Sequence, residues 1–478
     1  MSTNIISQLT KSFKDELFNA ITEMDIMDLV NNLGVFQTKM NRSILKLVSG
    51  VLSVLDNRIT ESPERRRNGF LVQKRDVERT LVTPLGELTY KRAYFTDKES
   101  GERFYLLDGL IGVERYERIT KETIAKILNN ACETSYEKAA GISGTDITRQ
   151  TVSNRLHALG EIVPEFNEEK IACSRFEVFV DEDHVSVRDE NGKKRSCQVP
   201  VAVVATGVDD SNPKRHNLEN TLHLAEFGTN PSAFFNDLYA MMSERYSYRA
   251  DTPFVVHADG GNWIKHAEEV FPNVSFAMDG FHLNKYKKSI KKYCDAQTKK
   301  ELDAAIGKEK QEEFEELTAR VKETLIDTKD AKEFGELATY FTNNWESIQK
   351  RLSGAVVGSC TEAMVSHLTA ERISRTPCVW SEEGLAQMAM MRTLRANGGH
   401  VKPSDIRVHR DKDEERKMMR ERAKKGFEAY NKIIEEERTE IIKAIKERFR
   451  EDRGTFYIDV ASGTQMYLKK LSRVPTNT

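Results

Sequence analysis

Hydrophobic residues recur at helical spacing through the first 60 positions of the chain. Near the N-terminus an apolar side chain returns every three or four residues, at Leu9, Phe13, Leu17, Ile21 and Met24. A second stretch repeats the pattern, at Met40, Ile44, Leu47, Val51 and Leu55. Both spacings are typical of helices with one apolar face, so we predict two helices in residues 1–62.

The pattern then changes to alternation. After a basic run at residues 65–67, which we interpret as a boundary, residues 76–95 form a β-rich pattern that breaks at Pro84 and Gly86. Beyond the break, one face takes every second residue, at Leu88, Tyr90, Arg92 and Tyr94. Alternation interrupted by turn-forming residues predicts a β-hairpin. The basic residues assigned to its polar face are Arg79, Lys91 and Arg92.

Residues 120–160 return to a helical pattern, and their second half resembles a helix-turn-helix. A short helix, a glycine-containing turn and a helix that begins near Thr148 follow one another. This order suits DNA binding, with Arg149 as a candidate contact, and it suits a plain helical hairpin equally well.

At Arg175 the helical pattern gives way to runs of β-branched residues. The segments RFEVFVDEDHVSVRD and SCQVPVAVVATGV are rich in β-branched residues, and the second predicts a strand buried on both faces. A helix over about 232–246 and strands at PFVVHA and NVSFAM follow. This order predicts a mixed sheet with helices on its faces.

A polar helical segment from 284 to about 351 separates these strands from two later helices, and we interpret it as an insertion. Beyond it, residues 410–453 mix both charge signs and predict a long exposed helix with one apolar seam. Lysines crowd the start of the insertion, at Lys285, Lys287, Lys288, Lys291 and Lys292.

Composition limits the classes of function. The 478 residues suffice for about three domains, and 73 Lys and Arg against 75 Asp and Glu exclude a globally basic nucleic-acid coat. Six cysteines without a C-x-x-C pair predict reduced thiols rather than a zinc site or disulfide scaffold. Because we find no secretion signal and no apolar run of membrane-spanning length, we expect a cytoplasmic protein without a membrane partner.

Two acidic residues follow predicted buried strands. Asp181 comes directly after FEVFV, and Asp259 comes directly after PFVVHA. Neighbouring strands lie about 4.8 Å apart, so carboxylates at two such strand ends can share a divalent cation. A third acid from a later helix would complete an oxygen-ligand site for Mg²⁺ or Mn²⁺. The turn ADGGNW lets a ligand approach its backbone, and DGFH adds an Asp and a His at the next strand end.

The chain contains four notable sequence segments, in this order: FVDEDHVSV, VVHADGGNWIK, AMDGFHLNKYKKSI and SCTEAMVSHL. Together they resemble the DDE transposases with an RNase H-like catalytic core, specifically the ISLre-type insertion-sequence group, formerly filed as an uncharacterised protein family. The resemblance covers nearly the whole chain. It implies that Asp181, Asp259 and Glu362 are catalytic metal-binding residues. It also implies that Asp279 and His282 form the Asp-x-x-His signature of related mutator-like and hAT-like transposases.

Two ligand assignments leave alternatives open. Asp183 lies on the same face as Asp181 if the strand continues, and the strand-end position favours Asp181. The helix of Glu362 begins with small residues after the insertion, which favours it over three competing acids. These competitors are Glu371, Glu382 and Glu383.

The roles of two further features are also open. His282 either positions the DNA strand or ties Asp279 in place. The lysine cluster at 285–292 either faces DNA phosphates or forms a solvated helix face.

The resemblance implies a two-metal mechanism with Mg²⁺ or Mn²⁺, in which DNA is cut at the element ends and the freed 3′-hydroxyl attacks target DNA. DNA is thus the expected partner, bound by a homodimer or higher oligomer in the nucleoid, because two element ends must be brought together. The alternatives are a catalytically inactive or repurposed DNA-binding protein derived from a transposase, and a nuclease that cuts without joining.

The expected fold class is an α/β catalytic core, an RNase H-like mixed sheet flanked by helices, with an all-helical insertion. An α+β N-terminal DNA-binding region precedes the core, and a helical C-terminal region follows it. The predicted ranges are 1–62 for the N-terminal helices, 63–165 for the hairpin and helix-turn-helix-like region, 175–283 and 356–400 for the core, 284–355 for the insertion, and 401–478 for the C-terminal region.

Overall fold

The computed structural model describes residues 2–22, 31–142, 147–167, 169–189, 191–209, 211, 217–358, 361–375 and 378–406. The predicted C-terminal helix at 410–453 lies outside these residues, as does the turn at 143–146. The chain divides into two compact units. The first comprises Met1–Leu81 and Leu85–Arg118, and the second comprises Val82–Pro84 and Ile119–Val408.

The first unit combines the N-terminal helices with the hairpin, so the predicted division at residue 62 falls inside it. Its elements are α1 (Ser2–Thr22), α2 (Leu33–Glu61), α3 (Pro63–Arg67), β1 (Phe70–Thr83), β2 (Gly86–Asp97), β3 (Arg103–Phe104) and α4 (Leu106–Leu110). The strands form one sheet in the order β1-β2-β3. The predicted helices and hairpin are confirmed, and Ile59 of α2 packs with Tyr90 and Phe95 of β2 in an apolar core.

The prediction of a basic polar face on the hairpin is wrong, because two of its three basic residues point into the unit. Arg79 Nη1 lies 2.6 Å from Asp108 Oδ2, and Arg92 forms an ion pair with the same carboxylate. Tyr90 donates a hydrogen bond to Asp108 Oδ1 at 2.8 Å. Arg92 shares the inward face of β2 with Tyr90, so its charge is neutralised inside the unit, and of these three only Lys91 is exposed.

The second unit contains a mixed sheet flanked by helices. Its helices are α5 (Lys121–Ala131), α6 (Tyr136–Gly141), α7 (Arg149–His157), α8 (Pro231–Arg245), α9 (Ala267–Val270), α10 (Gly280–Lys291), α11 (Ala296–Gly307), α12 (Gln311–Thr324), α13 (Thr328–Asn343), α14 (Trp345–Leu352), α15 (Thr361–Val365) and α16 (Glu382–Ala396). Its strands are β4 (Ile171–Ala172), β5 (Phe176–Arg188), β6 (Lys194–Ala205), β7 (Gly207–Asp209), β8 (Asn217–Glu219), β9 (Leu222–Ala225), β10 (Tyr246–Ser247), β11 (Phe254–Ala258), β12 (Val274–Met278) and β13 (Trp380–Ser381).

The main sheet has the strand order β12-β11-β5-β6-β9, with β13 beside the far half of β5. β5, β6 and β9 are antiparallel neighbours, whereas β11 and β12 run parallel to β5. One face packs on α8 through Phe234 and Leu238, and the other packs on α7 and α16 through Leu156 and Met388. The expected mixed sheet with helices on both faces is confirmed.

The two helices of the helix-turn-helix-like segment are present, and they belong to this second unit. Thr148 caps α7 by accepting a hydrogen bond from the backbone N–H of Thr151. Val152 and Leu156 are buried in the cluster that contains α16, whereas Arg149 is exposed at the first turn. A contact between Arg149 and DNA stays a prediction.

The segment predicted as a helical insertion at 284–355 contains the helices α10–α14, and the first of them begins earlier, at Gly280, directly after Asp279. Phe314, Phe334 and Phe341 form its own apolar core. Among the described residues, none of the helices combines the length and apolar character that crossing a bilayer requires.

Candidate active site

Asp181, Asp259 and Asp279 occupy one row across three neighbouring parallel strands. In the ladder between β5 and β11, the last partners are Phe179 and His257, each two positions before an acid. In the ladder between β11 and β12, the last pair directly precedes Asp259 and Asp279. Because strands in a sheet lie about 4.8 Å apart, the register makes these acids neighbours.

The strand that carries Asp181 does not end before this residue, so that expectation is wrong. β5 continues to Arg188 because β6 pairs with it over its whole length, with Val201 opposite Asp181. The strand that ends at this level is β11, which turns away at Asp259. Asp181 is therefore reached from the side that β11 leaves open.

The electrostatic setting of Asp181 favours a bound cation. Burial raises the pKa of Asp181 to about 6, and the negative charges of Asp259 and Glu182 act in the same direction. The backbone N–H of Glu182, which donates to Asp181 Oδ1 at 2.9 Å, and the imidazole of His282 oppose this rise. Two carboxylates that repel each other in a partly buried site are a suitable ligand pair for a divalent ion.

A tight turn fixes Asp259 against the insertion. Its Oδ1 accepts a hydrogen bond from the backbone N–H of Gly261 at 2.8 Å, and its carbonyl oxygen accepts one from the hydroxyl of Tyr340 in α13. Gly260 has φ +89°, and a Cβ there would lie 2.6 Å from Asn344 Oδ1. Only glycine suits both this conformation and this close approach.

Asp279 is fully buried and serves as a support for its neighbours. Its Oδ2 accepts hydrogen bonds from the backbone N–H of His282 at 3.1 Å and from His282 Nδ1 at 3.2 Å. Its Oδ1 accepts one from the hydroxyl of Thr361 at 2.8 Å. These bonds hold Nδ1 of His282 in its protonated form. The hydrogen bond to Asp279, together with the charges of Asp181 and Asp259, raises the pKa of His282.

The backbone of Glu362 lies in α15, which packs on β5. Thr361, the residue before it, binds Asp279, so the start of this helix is anchored at the row of acids. The side chain of Glu362 lies outside the described part of the structure. The competing acids Glu371 and Glu382 form ion pairs elsewhere, with His367 and Arg195 respectively.

Asp183 has different surroundings from Asp181. It is buried beside the hydroxyl groups of Thr369 and Ser374, and burial raises its pKa. The charges of Asp259 and His282 act on the pKa of Asp181, whereas hydrogen bonds from the two hydroxyl groups act on that of Asp183. The structure therefore groups Asp181, rather than Asp183, with the second acid.

A fourth acid beside the row, Glu182, was missed in the sequence. Its carboxylate accepts hydrogen bonds from Trp263 Nε1 at 2.9 Å and from Gln198 Nε2 at 3.0 Å. Burial raises the pKa of Glu182, and the charge of Asp259 adds to the rise. Side chains alternate along a strand, so the sequence pattern puts Glu182 on the opposite face of β5 from Asp181 and gives no local sign that it lies near the site.

Beneath the acids lies a chain of charged contacts, centred on the buried Glu177 and His257, that was also missed in the sequence. Arg175 Nε donates to Glu177 Oε1 at 2.6 Å, and His257 Nε2 lies 2.5 Å from Glu177 Oε2. Arg351 Nη2 lies 2.5 Å from His257 Nδ1, and Arg351 Nε donates to the carbonyl oxygen of Met278 at 2.6 Å. The chain thus connects β5, β11 and β12 to the end of α14.

This connection fixes the protonation state of His257. A guanidinium group can only donate, so Nδ1 of His257 accepts from Arg351 and Nε2–H donates to Glu177. The imidazole is therefore neutral, and burial lowers the pKa of His257 in agreement with that state. The charged chain sets the relative positions of the three strands that carry the acids.

The predicted lysine cluster divides into two groups on α10. Lys291 forms an ion pair with Asp303 at 2.5 Å, and Lys287 is partly buried, which lowers its pKa. The exposed members lie on one helix face, at Lys285, Lys288 and Lys292.

Within the described residues, no three His, Cys, Asp or Glu side chains converge as a complete metal-binding set. The candidate third ligand, Glu362, has its side chain outside those residues. Asp181 and Asp259 thus form the described part of the candidate metal site.

Comparison with known proteins places the chain in a family. Residues 20–410 match UPF0236, which is described as an uncharacterised protein family. A UPF0236 protein of Caldanaerobacter subterraneus subsp. tengcongensis, whose name joins eleven locus designations, is 30% identical over 412 residues, covering 84% of this chain and 85% of the relative. A second from the same organism is 29% identical over 406 residues, covering 84% of each. The chain belongs to the UPF0236 family.

Proposed function

We propose that this chain is a DDE-type transposase of an insertion sequence. It would cleave DNA at the element ends and join the freed 3′-hydroxyl to target DNA. The observation that carries the proposal is the register that places Asp181 and Asp259 side by side, with the helix of Glu362 anchored to the adjacent Asp279.

The sheet topology supports an RNase H-like core. Numbered along the chain, the five strands β5, β6, β9, β11 and β12 of the main sheet lie in the order third, second, first, fourth, fifth. The fourth and fifth run parallel to the first. This is the arrangement that the term RNase H-like denotes. Asp181 lies on the first strand, β5, and Asp259 follows the fourth strand, β11, which pairs with it.

The family supports a mobile genetic element. One relative's name joins eleven locus designations in one organism, and another, 28% identical, joins four. One protein name shared by many loci of one organism is what repeated transposition of one element would produce.

Asp181, Asp259 and Glu362 would hold Mg²⁺ or Mn²⁺, and the raised pKa of Asp181 fits such a ligand set. Two bound ions would stabilise the charge on the scissile phosphate and activate the attacking oxygen. His282, held at Nδ1 by Asp279, can use Nε2 to bind a phosphate oxygen. The charged chain from Arg175 to Arg351 would keep the strands in register.

The chemistry consists of two phosphoryl transfers. In the first, a water oxygen loses a proton and bonds to phosphorus while the bond from phosphorus to the 3′-oxygen breaks, and the 3′-oxygen takes up a proton. In the second, the freed 3′-hydroxyl loses its proton, bonds to a target phosphorus and displaces the target strand's own 3′-oxygen, which takes up a proton. We propose that a homodimer or larger assembly in the nucleoid holds both element ends.

The test uses labelled DNA carrying the element ends, with Mg²⁺ or Mn²⁺. Wild type should cut it, and Asp181→Asn, Asp259→Asn and Glu362→Gln should each lose cutting while retaining DNA binding. Asp183→Asn tests the alternative ligand and should retain more activity than Asp181→Asn. DNA binding without cutting by the wild type would favour the repurposed DNA-binding protein instead.

A further inference from the structure

A cavity of about 680 Å³ opens between the turn at Asp259 and the insertion helices α12 and α13. Three lysines line it: Lys265 follows the turn, Lys322 lies on α12 and Lys332 lies on α13. Asp259 lies in its wall, so the cavity reaches the candidate metal site. Its volume falls in the range of about 300–1,000 Å³ that is typical of ligand pockets.

Two of these lysines have no carboxylate partner among the described residues. Lys332 lies 3.8 Å from Glu336, whereas neither Lys265 nor Lys322 is within ion-pairing distance of a described acid. A Cβ at Gly335 would lie 3.1 Å from Lys322 Nζ, so the glycine makes room for this lysine against α13. The cavity lining thus carries three lysines against the carboxylates of Asp259 and Glu336, and two of the lysines pair with no described acid. This surplus of positive charge favours an anionic ligand.

We propose that this cavity binds the phosphates of an unpaired DNA strand beside the scissile bond. A duplex is too large for it, since even the major groove alone is about 12 Å wide. A single strand of one or two nucleotides fits, with its phosphates on Lys265 and Lys322. The inference rests on the proposed function, because it extends the substrate of the same site.

Binding can be measured without catalysis, by fluorescence anisotropy of a labelled single-stranded oligonucleotide in EDTA. The double variant Lys265→Gln/Lys322→Gln should bind it about tenfold more weakly. Each phosphate that a lysine no longer neutralises lowers the salt slope by about 0.7, so the slope should fall by about 1.4. Lys329→Gln, exposed on α13 and outside the cavity, is the matched control and should bind within twofold of wild type.

A second variant blocks the cavity and leaves its charges in place. Thr339 is exposed and lines the cavity, so Thr339→Phe should weaken single-strand binding while duplex binding stays unchanged. Unchanged single-strand binding in both variants, or an equal loss for duplex, would overturn the inference. If the wild type still cuts DNA when either of these results is found, only the cavity inference fails and the transposase proposal stands. If single-strand binding depends on the two lysines but the wild type never cuts DNA, the cavity inference stands and the transposase proposal fails.

Discussion

The hydroxyl of Thr361 donates a hydrogen bond to Oδ1 of the buried Asp279 at 2.8 Å. The bond spans 82 positions of sequence and anchors the helix that carries Glu362 beside the row of acids. Thr361→Val should therefore lower the rate of DNA cleavage by about 10- to 150-fold, since loss of one buried hydrogen bond to a charged group is worth about 1.5–3 kcal/mol. Thr361→Ser keeps the hydroxyl and should cleave at nearly the wild-type rate. Equal rates for both variants would exclude this positioning role.

The exposed face of α10 should contribute to DNA affinity. We expect Lys285→Gln/Lys288→Gln/Lys292→Gln to weaken duplex binding and to reduce its salt slope, by about 0.9 for each phosphate that is no longer neutralised. Lys291→Gln is the control, because Lys291 is already paired with Asp303. Filter binding at several salt concentrations measures both quantities. If the control loses as much affinity per charge as the triple variant, the face has no special role.

The charged chain below the acids should stabilise the fold. Arg351→Met leaves His257 Nδ1 and the carbonyl oxygen of Met278 without this donor, so the free energy of unfolding should fall by about 3 kcal/mol. Arg195→Gln removes an exposed ion pair with Glu382 and should change the free energy of unfolding by less than about 1 kcal/mol. Urea denaturation compares the two. A similar loss in both variants would contradict a stabilising role for the charged chain.

Glu226 should make stability depend on pH. Burial raises its pKa to about 7, and the charge of Asp237 adds to this rise. The folded chain then binds this proton more tightly than the unfolded chain, so the stability contributed by this group falls as pH rises from about 4.5 to 7. Glu226→Gln should raise the free energy of unfolding by about 1–2 kcal/mol at pH 8 and by much less below pH 5. Thermal unfolding across this pH range checks it, and a pH-independent difference would contradict it.

The strands at the site were predictable because their patterns are local. PFVVHA and NVSFAM are short, mainly apolar runs, each followed by an acid, and the structure confirms both as β11 and β12. The end of β5 was misplaced because the polar run DED follows FEVFV. The strand continues through its pairing with β6, and the alternating Val185 and Val187 beyond that run are buried. The inward position of Arg92, by contrast, follows from its alternation with Tyr90.

The supporting residues had no local signal. Arg351 contacts His257 across 94 positions of sequence, and Tyr340 contacts Asp259 across 81. Such contacts arise when the insertion helices pack on the strand ends, and no spacing along the chain indicates them. For the same reason the cavity beside Asp259 became visible only in three dimensions.

Strand transfer tests the central claim most directly. Labelled element-end DNA with a free 3′-hydroxyl is incubated with an unlabelled plasmid and Mg²⁺, and the joined product is quantified on a gel. We predict that wild type joins the label to the plasmid, and that Asp181→Asn and Asp259→Asn bind both DNAs without joining them. Joining by either variant at the wild-type rate would contradict the assignment of these two carboxylates.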